Sequence, residues 1–310
     1  MFAPGGKGTA ARPAGHRRAR VITRPGTRVL PYFHIPTKTV LGIPLDPWGI
    51  LVTGGFLIGL EIARARAIRR GLDVRDIVDG IVFTVLSGFI GGHLVHVLAY
   101  HPEQYEEDGI WSLIYVWKGF SSFGGFFGAV FGATAFFRWI RPRSFWAHAD
   151  QVMFAFPFAW IFGRLGCAIV HDHVGRKTDF FLAVNFEERF PGMGVRHDLG
   201  LYEALYTMVI AAVFWACRDK PWKPGSYAVL WAFMYAPVRF MLDFLRNTDL
   251  KNADVRWGLL TPAQWGCIVM LVGGASLWAW LRKQPPVTLA TNVDQQAPAN
   301  GHGGDPPATA

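Results

Sequence analysis

Charged residues are scarce in this sequence. Asp, Glu, Lys and Arg make up 17% of the 310 residues, whereas about a quarter of a soluble globular domain is charged. Hydrophobic residues reach 51%, with 25 Phe and 13 Trp. Because a soluble domain needs a charged surface, this composition excludes an ordinary soluble protein. It predicts an all-α polytopic membrane protein.

Cysteine is scarce as well. Cys167, Cys217 and Cys267 lie far apart in the sequence and form no Cys-x-x-Cys pair. Their spacing excludes a disulfide framework and a zinc-finger ligand set, and we predict no metal and no cofactor. The formal net charge is +9. In a membrane protein such an excess of basic residues is expected in the loops that set its orientation, so we predict no nucleic-acid partner.

Long apolar runs are abundant. Each of seven is near the ~20 residues that cross about 30 Å of hydrocarbon. They predict one seven-helix membrane domain over 39–283, between a disordered basic arm over 1–38 and a disordered tail over 284–310. No apolar segment directly follows the basic residues of the arm, so the arm does not read as a signal peptide. The seven segments are 47–69, 77–100, 120–140, 150–170, 201–217, 226–246 and 262–282.

Basic residues follow alternate segments. Those near segment ends belong on the cytoplasmic side, which predicts an outside N-terminus and an inside C-terminus. The basic cluster at 17–28 argues the other way, but it lies farther from the first segment. The residues after the first, third, fifth and seventh segments are Arg64, Arg66, Arg69, Arg70, Arg75, Arg138, Arg141, Arg143, Arg218, Lys220, Lys223, Arg282 and Lys283.

With this topology, polar residues from several segments converge at the outer side. This convergence predicts a functional site there. The residues are His93, His96, Gly124, Gly125, Arg164, His171, Asp172, His173, Arg176, Tyr202, Glu203, Tyr235, Arg239, Asp243 and Arg246.

The sixth segment carries polar residues on one stripe. Tyr235, Arg239, Asp243 and Arg246 are spaced by four, four and three residues, which places them on one helix face. A buried Arg239 beside a second buried arginine, Arg164, needs an anion, and the abundant anion in a membrane is a lipid phosphate. The alternative is an Asp243–Arg239 pair, with Arg246 reaching the headgroups.

Glycines punctuate the third segment at positions 124, 125, 128 and 132. The four-residue repeat of Gly124, Gly128 and Gly132 is typical of close helix packing in membranes. Backbone approach to a ligand is the compatible alternative.

The sequence His171-Asp172-His173 follows the fourth segment. Two histidines spaced by two residues in a loop are weak evidence for a metal site. Interfacial histidines, or one histidine acting as a general base, are the other interpretations.

The stretch GRLGCAIVHDHVGRKTD, residues 163–179, resembles the motif GRIGNFINGELWGRPTD of prolipoprotein diacylglyceryl transferases without a gap. RHDLGLYEAL at 196–205 resembles the family's RHPSQLYEAL, GGHLVHVLAY at 91–100 resembles GGRLGYVLFY, and WKGFSSFGGFFG at 117–128 resembles WEGGMSFHGGLIG. The Tyr-x-x-x-Arg of the sixth segment is similar too, and the likeness covers about 40–280.

The resemblance implies a multi-pass enzyme of the bacterial cytoplasmic membrane. Such an enzyme transfers diacylglyceryl from phosphatidylglycerol to the lipobox cysteine of a lipoprotein precursor at the outer face, and glycerol-1-phosphate leaves. The catalytic residues are then predicted to be Arg239, Tyr235, His171, His173 and Asp172. The substrate-binding residues are predicted to be Arg164, Arg246, Arg176, Gly124, Gly125, His93, His96, Tyr202 and Glu203.

The sequence departs from these motifs at several positions. Phe123 stands where the motif SFHGG has His, so another group must activate the thiol, with His171, His173, His93 or His96 as candidates. Such departures leave two other interpretations open: another lipid-linked transfer, or a non-catalytic phospholipid-binding membrane protein. Cys167 and Val170 replace Asn, His171 replaces Gly, Asp172 replaces Glu, His93 replaces Arg and His96 replaces Tyr.

Overall fold

The computed structural model describes residues 29–40, 43–250 and 256–285. Seven of its helices are long and apolar enough to cross a membrane, which confirms the predicted number of spans. The helices are α1 Pro47–Arg69, α2 Val74–Val95, α3 Pro102–Asp108, α4 Ser122–Ala135, α5 Phe145–Val170, α6 Leu199–Ala216, α7 Ser226–Leu242 and α8 Pro262–Lys283, all but the short α3 being spans. Wider π-helical turns extend α2 and α4 to Tyr100 and Ile140.

Side-chain caps fix where the spans begin. The Asp46 carboxylate accepts the backbone N–H of Gly49, and Pro47 occupies the first turn of α1, where a missing N–H costs nothing. At the start of α8, Thr261 and Gln264 form a reciprocal capping box. These contacts satisfy N–H groups that have no partner within the helix.

The basic residues that follow alternate spans gather at one end of the bundle, here called the basic end. Arg66 donates to the carbonyl of Arg218 at 3.0 Å, and Lys223 donates to the carbonyl of Leu281 at 2.7 Å. The Asp76 carboxylate at the start of α2 accepts from Arg143 at 2.8 Å. The spans therefore alternate in direction as predicted. Which end faces the cytoplasm stays a prediction.

Glycines bring α2 and α4 into backbone contact. A Cβ at Gly124 would lie 2.3 Å from the carbonyl oxygen of Gly91, and one at Gly128 would lie 2.3 Å from that of Ser87. Any side chain there would push the two helices apart. The packing interpretation of the glycine repeat therefore holds for Gly124 and Gly128.

A small sheet covers the end of the bundle opposite the basic end, here called the sheet end. Strands β1 Leu30–Pro31, β4 Val174–Lys177, β5 Val184–Asn185 and β6 Val195–Asp198 pair in the order β1-β5-β6-β4. A separate hairpin joins β2 Lys38–Val40 to β3 Ile43–Leu45. The sequence did not predict these short strands.

The predicted arm needs a correction at its boundary. Strand β1 pairs in parallel with β5, and the backbone N–H of Leu30 donates to the carbonyl of Ala183 at 2.8 Å. Residues 30–38 are thus part of the fold. The remainder of the predicted arm, residues 1–28, and nearly all of the predicted tail, residues 286–310, lie outside the described residues.

Candidate functional site

Glu203, near the start of α6, binds two arginines from two other helices. Its Oε2 lies 3.0 Å from Nε of Arg164 on α5, and its Oε1 lies 3.1 Å from Nε of Arg239 on α7. The hydroxyl of Tyr235 donates to Glu203 Oε2 at 2.7 Å and accepts from Arg164 Nη2 at 3.2 Å. These four residues are called the arginine–glutamate cluster.

The stripe on α7 continues the cluster. Arg239 Nη1 donates to Oδ1 of the buried Asp243 at 2.5 Å, and the hydroxyl of Thr261 donates to the other Asp243 oxygen. Arg246 Nε lies 3.8 Å from Asp243 Oδ1. Tyr235, Arg239 and Asp243 therefore share one face, as their spacing predicts, and the Asp243–Arg239 pair weighed as the alternative is present.

The group that lies between the two arginines is the Glu203 carboxylate, whereas the sequence predicted a lipid phosphate as their anion; phosphate binding by the two arginines stays a prediction. Glu203 already holds both guanidinium groups, and with Asp243 it balances their charge. A buried charge without a partner is strongly destabilising, so the carboxylates stabilise the fold. The Arg164 and Arg239 side chains keep 12% and 10% of their surface exposed, which leaves each a narrow face for a ligand.

A second group of polar residues lies where α5 ends. Cys167 Sγ, a carboxylate oxygen of Asp172 and a ring nitrogen of His173 all lie within 4.8 Å of one another. The His173 Nδ1 is 2.9 Å from Asp172 Oδ1. Burial raises the pKa of the Asp172 carboxyl, but His173, Cys167 and Arg164 together outweigh burial and hold that pKa below its ordinary value. These three residues are called the Cys–Asp–His cluster.

His171 lies apart from both clusters. Its backbone is left-handed, with φ 52°, a conformation in which Gly, the residue of the aligned motif, is at ease. The buried ring has Nδ1 2.5 Å from Asp198 Oδ2 and Nε2 2.6 Å from the carbonyl oxygen of Phe33. Both ring nitrogens are engaged, so His171 fastens the segment before α1 to the sheet. We do not carry it into the proposed site as a base.

His93 and His96 contact the connection between α3 and α4. The ring nitrogens of His93 lie 3.0 Å from the carbonyl oxygens of Gly119 and Ser112. The His96 ring packs against Gly119 and lies 4.5 Å from the ring of His101. Both ring nitrogens of His93 are occupied by contacts with backbone carbonyl groups. We therefore do not carry His93 into the proposed site, and a substrate-binding role for His96 stays a prediction.

The glycines predicted to bind substrate lie between helices. Gly124 faces Gly91 of α2, and a Cβ at Gly125 would meet the Gly88 carbonyl at 3.7 Å. Phe123, in place of the motif's histidine, is the second residue of α4. Its phenyl ring has no group that takes a proton, so Phe123 cannot act as a base.

Tyr202 and Arg176 contact the loops of the sheet end. The Tyr202 hydroxyl lies 3.0 Å from Nδ1 of His197. Arg176 donates to the carbonyl oxygen of Phe244, which joins β4 to the end of α7. Neither residue is in direct contact with Glu203 through these bonds, so both stay predictions as substrate-binding residues.

Arg196 was not predicted to be a site residue. This side chain is 1% exposed, and it donates to both carboxylate oxygens of Asp249 and to the carbonyls of Met193 and Gly175. It ties the loop after α7 to β6 and β4. The signal that could have identified Arg196 is its position in the stretch RHDLGLYEAL, which resembles a family motif.

Comparison with known proteins gives a consistent result. The family model described as prolipoprotein diacylglyceryl transferase matches residues 36–280. A phosphatidylglycerol–prolipoprotein diacylglyceryl transferase from Chromohalobacter salexigens is 32% identical over 255 residues, 81% of this chain and 93% of that protein. Proteins of the same name from Haemophilus influenzae and Solidesulfovibrio magneticus are 32% identical over 259 residues and 30% identical over 257. Each match covers 81% of this chain, with 94% and 95% of the respective relative.

Proposed function

Because this membrane-spanning chain belongs to the prolipoprotein diacylglyceryl transferase family, we propose that it transfers diacylglyceryl from phosphatidylglycerol to the lipobox cysteine of a lipoprotein precursor. The observation that carries the proposal is the convergence of Arg164 and Arg239, from separate helices, on Glu203. Buried guanidinium groups fixed in this way are suited to a phosphate that gains charge during a reaction.

The lipid phosphate binds the faces of the two arginines that Glu203 leaves open. Glu203 occupies Nε of each, Tyr235 accepts from Arg164 Nη2, and Asp243 accepts from Arg239 Nη1. The proposal assigns the remaining Nη–H donors to phosphate oxygens. The carboxylates thus orient the donors before lipid arrives, which reduces the reorganisation needed in the transition state.

The acceptor thiolate attacks the glyceryl carbon that is bonded to the phosphate oxygen. A C–S bond forms, the C–O bond breaks, and its electron pair goes to the phosphate oxygen, so glycerol-1-phosphate leaves with one more negative charge. Arg164 and Arg239 stabilise that charge. The thiol proton must go elsewhere, and His173 beside Asp172 is the base that the geometry favours over the engaged His171.

The reaction takes place at the sheet end. Arg164, Glu203 and Asp243 lie toward this end, while the basic residues gather at the other. If the basic end faces the cytoplasm, as the distribution of Lys and Arg favours, the site opens at the outer face of the bacterial inner membrane. A precursor cysteine would reach it there after export.

Complementation tests the proposed function in cells. A strain depleted of its own transferase should regain growth and lipid-modified lipoproteins when it expresses this chain. Arg239→Gln should abolish the rescue, because the phosphate loses one of its two arginines. Arg282→Gln, at the exposed end of α8, is the matched control and should rescue like the wild type. Failure of the well-expressed wild type to modify any lipoprotein would refute the proposal.

A further inference from the structure

The Cys–Asp–His cluster combines three donor types at one point. Cys167 projects from the last turn of α5, and Asp172 and His173 belong to the turn that follows. Their donor atoms lie within 4.8 Å of one another. A tetrahedral zinc site with bonds of ~2.0–2.3 Å brings its donors to roughly 3.5 Å from one another. Small side-chain rotations would close the cluster around such an ion.

The cluster also contains a polar atom that lacks a regular partner. His173 Nδ1 is buried and makes no hydrogen bond of normal geometry among the described residues, although Asp172 Oδ1 is 2.9 Å away. A buried polar atom without a partner is costly and calls for an explanation. A metal ion at this point would give His173 Nδ1 a partner in better geometry than Asp172 does.

The donor set favours zinc. Thiolate and imidazole are ligands that Zn²⁺ prefers, and a carboxylate completes a set of three. Catalytic zinc sites have three protein ligands and keep the fourth position open. Asp172 keeps 40% of its side-chain surface exposed and His173 keeps 22%, so that open position is accessible from the sheet end.

The three ligands are also departures from the quoted motif. In the gapless comparison the motif carries Asn at position 167, Glu at 172 and Leu at 173, whereas this chain carries Cys, Asp and His. Three positions at which this chain departs from the motif therefore lie close together in the structure. The same chain has Phe123 in place of the motif's histidine.

We infer that Cys167, Asp172 and His173 bind a zinc ion, and that the open position of this ion takes the thiol of the acceptor cysteine. The inference rests on the proposed function and supplies its thiol activation. A thiol that coordinates zinc loses its proton, which here goes to water. The bound thiolate then attacks the glyceryl carbon, and the thioether product is a weaker ligand that dissociates. With zinc bound, His173 is a ligand and not the base.

Metal binding is tested without any activity. The full chain, purified in detergent without a polyhistidine tag and stripped with a chelator, is titrated with Zn²⁺ or Co²⁺. The wild type should bind one ion per chain, and the cobalt form should show a thiolate-to-cobalt absorption band. Cys167→Ser should lose the band, and His173→Ala should lose at least tenfold in affinity. Cys217→Ser, a free cysteine at the far end of α6, should match the wild type.

The activity test separates this inference from the proposed function. Transfer by the metal-free protein should fall at least 100-fold and return when Zn²⁺ is added. Absence of stoichiometric metal, or cobalt spectra unchanged by Cys167→Ser, would overturn the zinc site. Undiminished transfer by metal-free protein would overturn its role while the transferase stands. Zinc bound as described in a protein without transfer activity would support the site and refute the proposed function.

Discussion

Replacement of Glu203 by Gln removes the charge that holds Arg164 and Arg239 together. Both guanidinium groups contact one carboxylate, with Nε–O distances of 3.0 and 3.1 Å, so the two groups approach each other to roughly 8 Å. Without the carboxylate charge they repel by about 2 kcal/mol at an effective dielectric constant of 20. Breaking a buried ion pair by removal of one partner costs about 3–5 kcal/mol in total.

The assay is thermal unfolding of the purified protein in detergent. At about 2 °C per kcal/mol for a chain of this size, the unfolding midpoint of Glu203→Gln should drop by about 6–10 °C. Added phosphatidylglycerol should then raise the midpoint of this variant more than that of the wild type, because its phosphate replaces the lost negative charge. The control is Glu61→Gln, whose side chain is 61% exposed and pairs with Arg64; its midpoint should hardly change.

Two results would refute this reasoning. An unchanged midpoint in Glu203→Gln would show that the carboxylate does not hold the two arginines in the folded protein. A normal drop that phosphatidylglycerol reverses no better than in the wild type would show that the phosphate does not bind the two arginines.

Three further predictions concern lipid binding, orientation in the membrane and activation of the acceptor thiol. Arg164→Gln should abolish binding of a phosphatidylglycerol analogue by the folded protein, and Arg164→Lys should weaken it because the two-pronged contact is lost; wild-type binding in Arg164→Gln would exclude the phosphate role. In a background without native cysteines, an impermeant thiol reagent outside the cell should label Phe190→Cys and not Pro221→Cys; the reverse pattern would invert the orientation. His173→Ala should lower turnover about 10²-fold or more with lipid binding retained, and Phe123→His should partly restore it; an unchanged rate would exclude His173.

The membrane helices were predictable because length and apolar content decide them. The predicted segment 47–69 coincides with α1, and 262–282 differs from α8 by one residue. The alternation of basic residues gave the antiparallel order of the spans for the same reason: each span has only two possible directions. The sheet escaped prediction since its strands have only two to four residues, too short to show a period of two.

The sequence predicted that the polar residues lie toward one end of the bundle, but it did not predict which of them pair with one another. The spacing of Tyr235, Arg239 and Asp243 fixed their shared face within one helix. It gave no information on the neighbour from α6, so Glu203 was predicted as one substrate-binding residue among many. Its place between two arginines depends on how three helices pack. The side chains of His171 and His173 were equally suited to base catalysis in sequence, and the left-handed turn at His171 separates them.

The most direct test of the account is transfer by the purified protein from phosphatidylglycerol to a lipobox peptide, followed by mass spectrometry. The account predicts a peptide with diacylglyceryl joined to its cysteine sulfur, and an equal amount of glycerol-1-phosphate. A peptide whose cysteine is replaced by Ser should remain unmodified, and Arg239→Gln protein should form no product. The account would be contradicted if folded, zinc-supplied wild-type protein left both lipid and peptide unchanged.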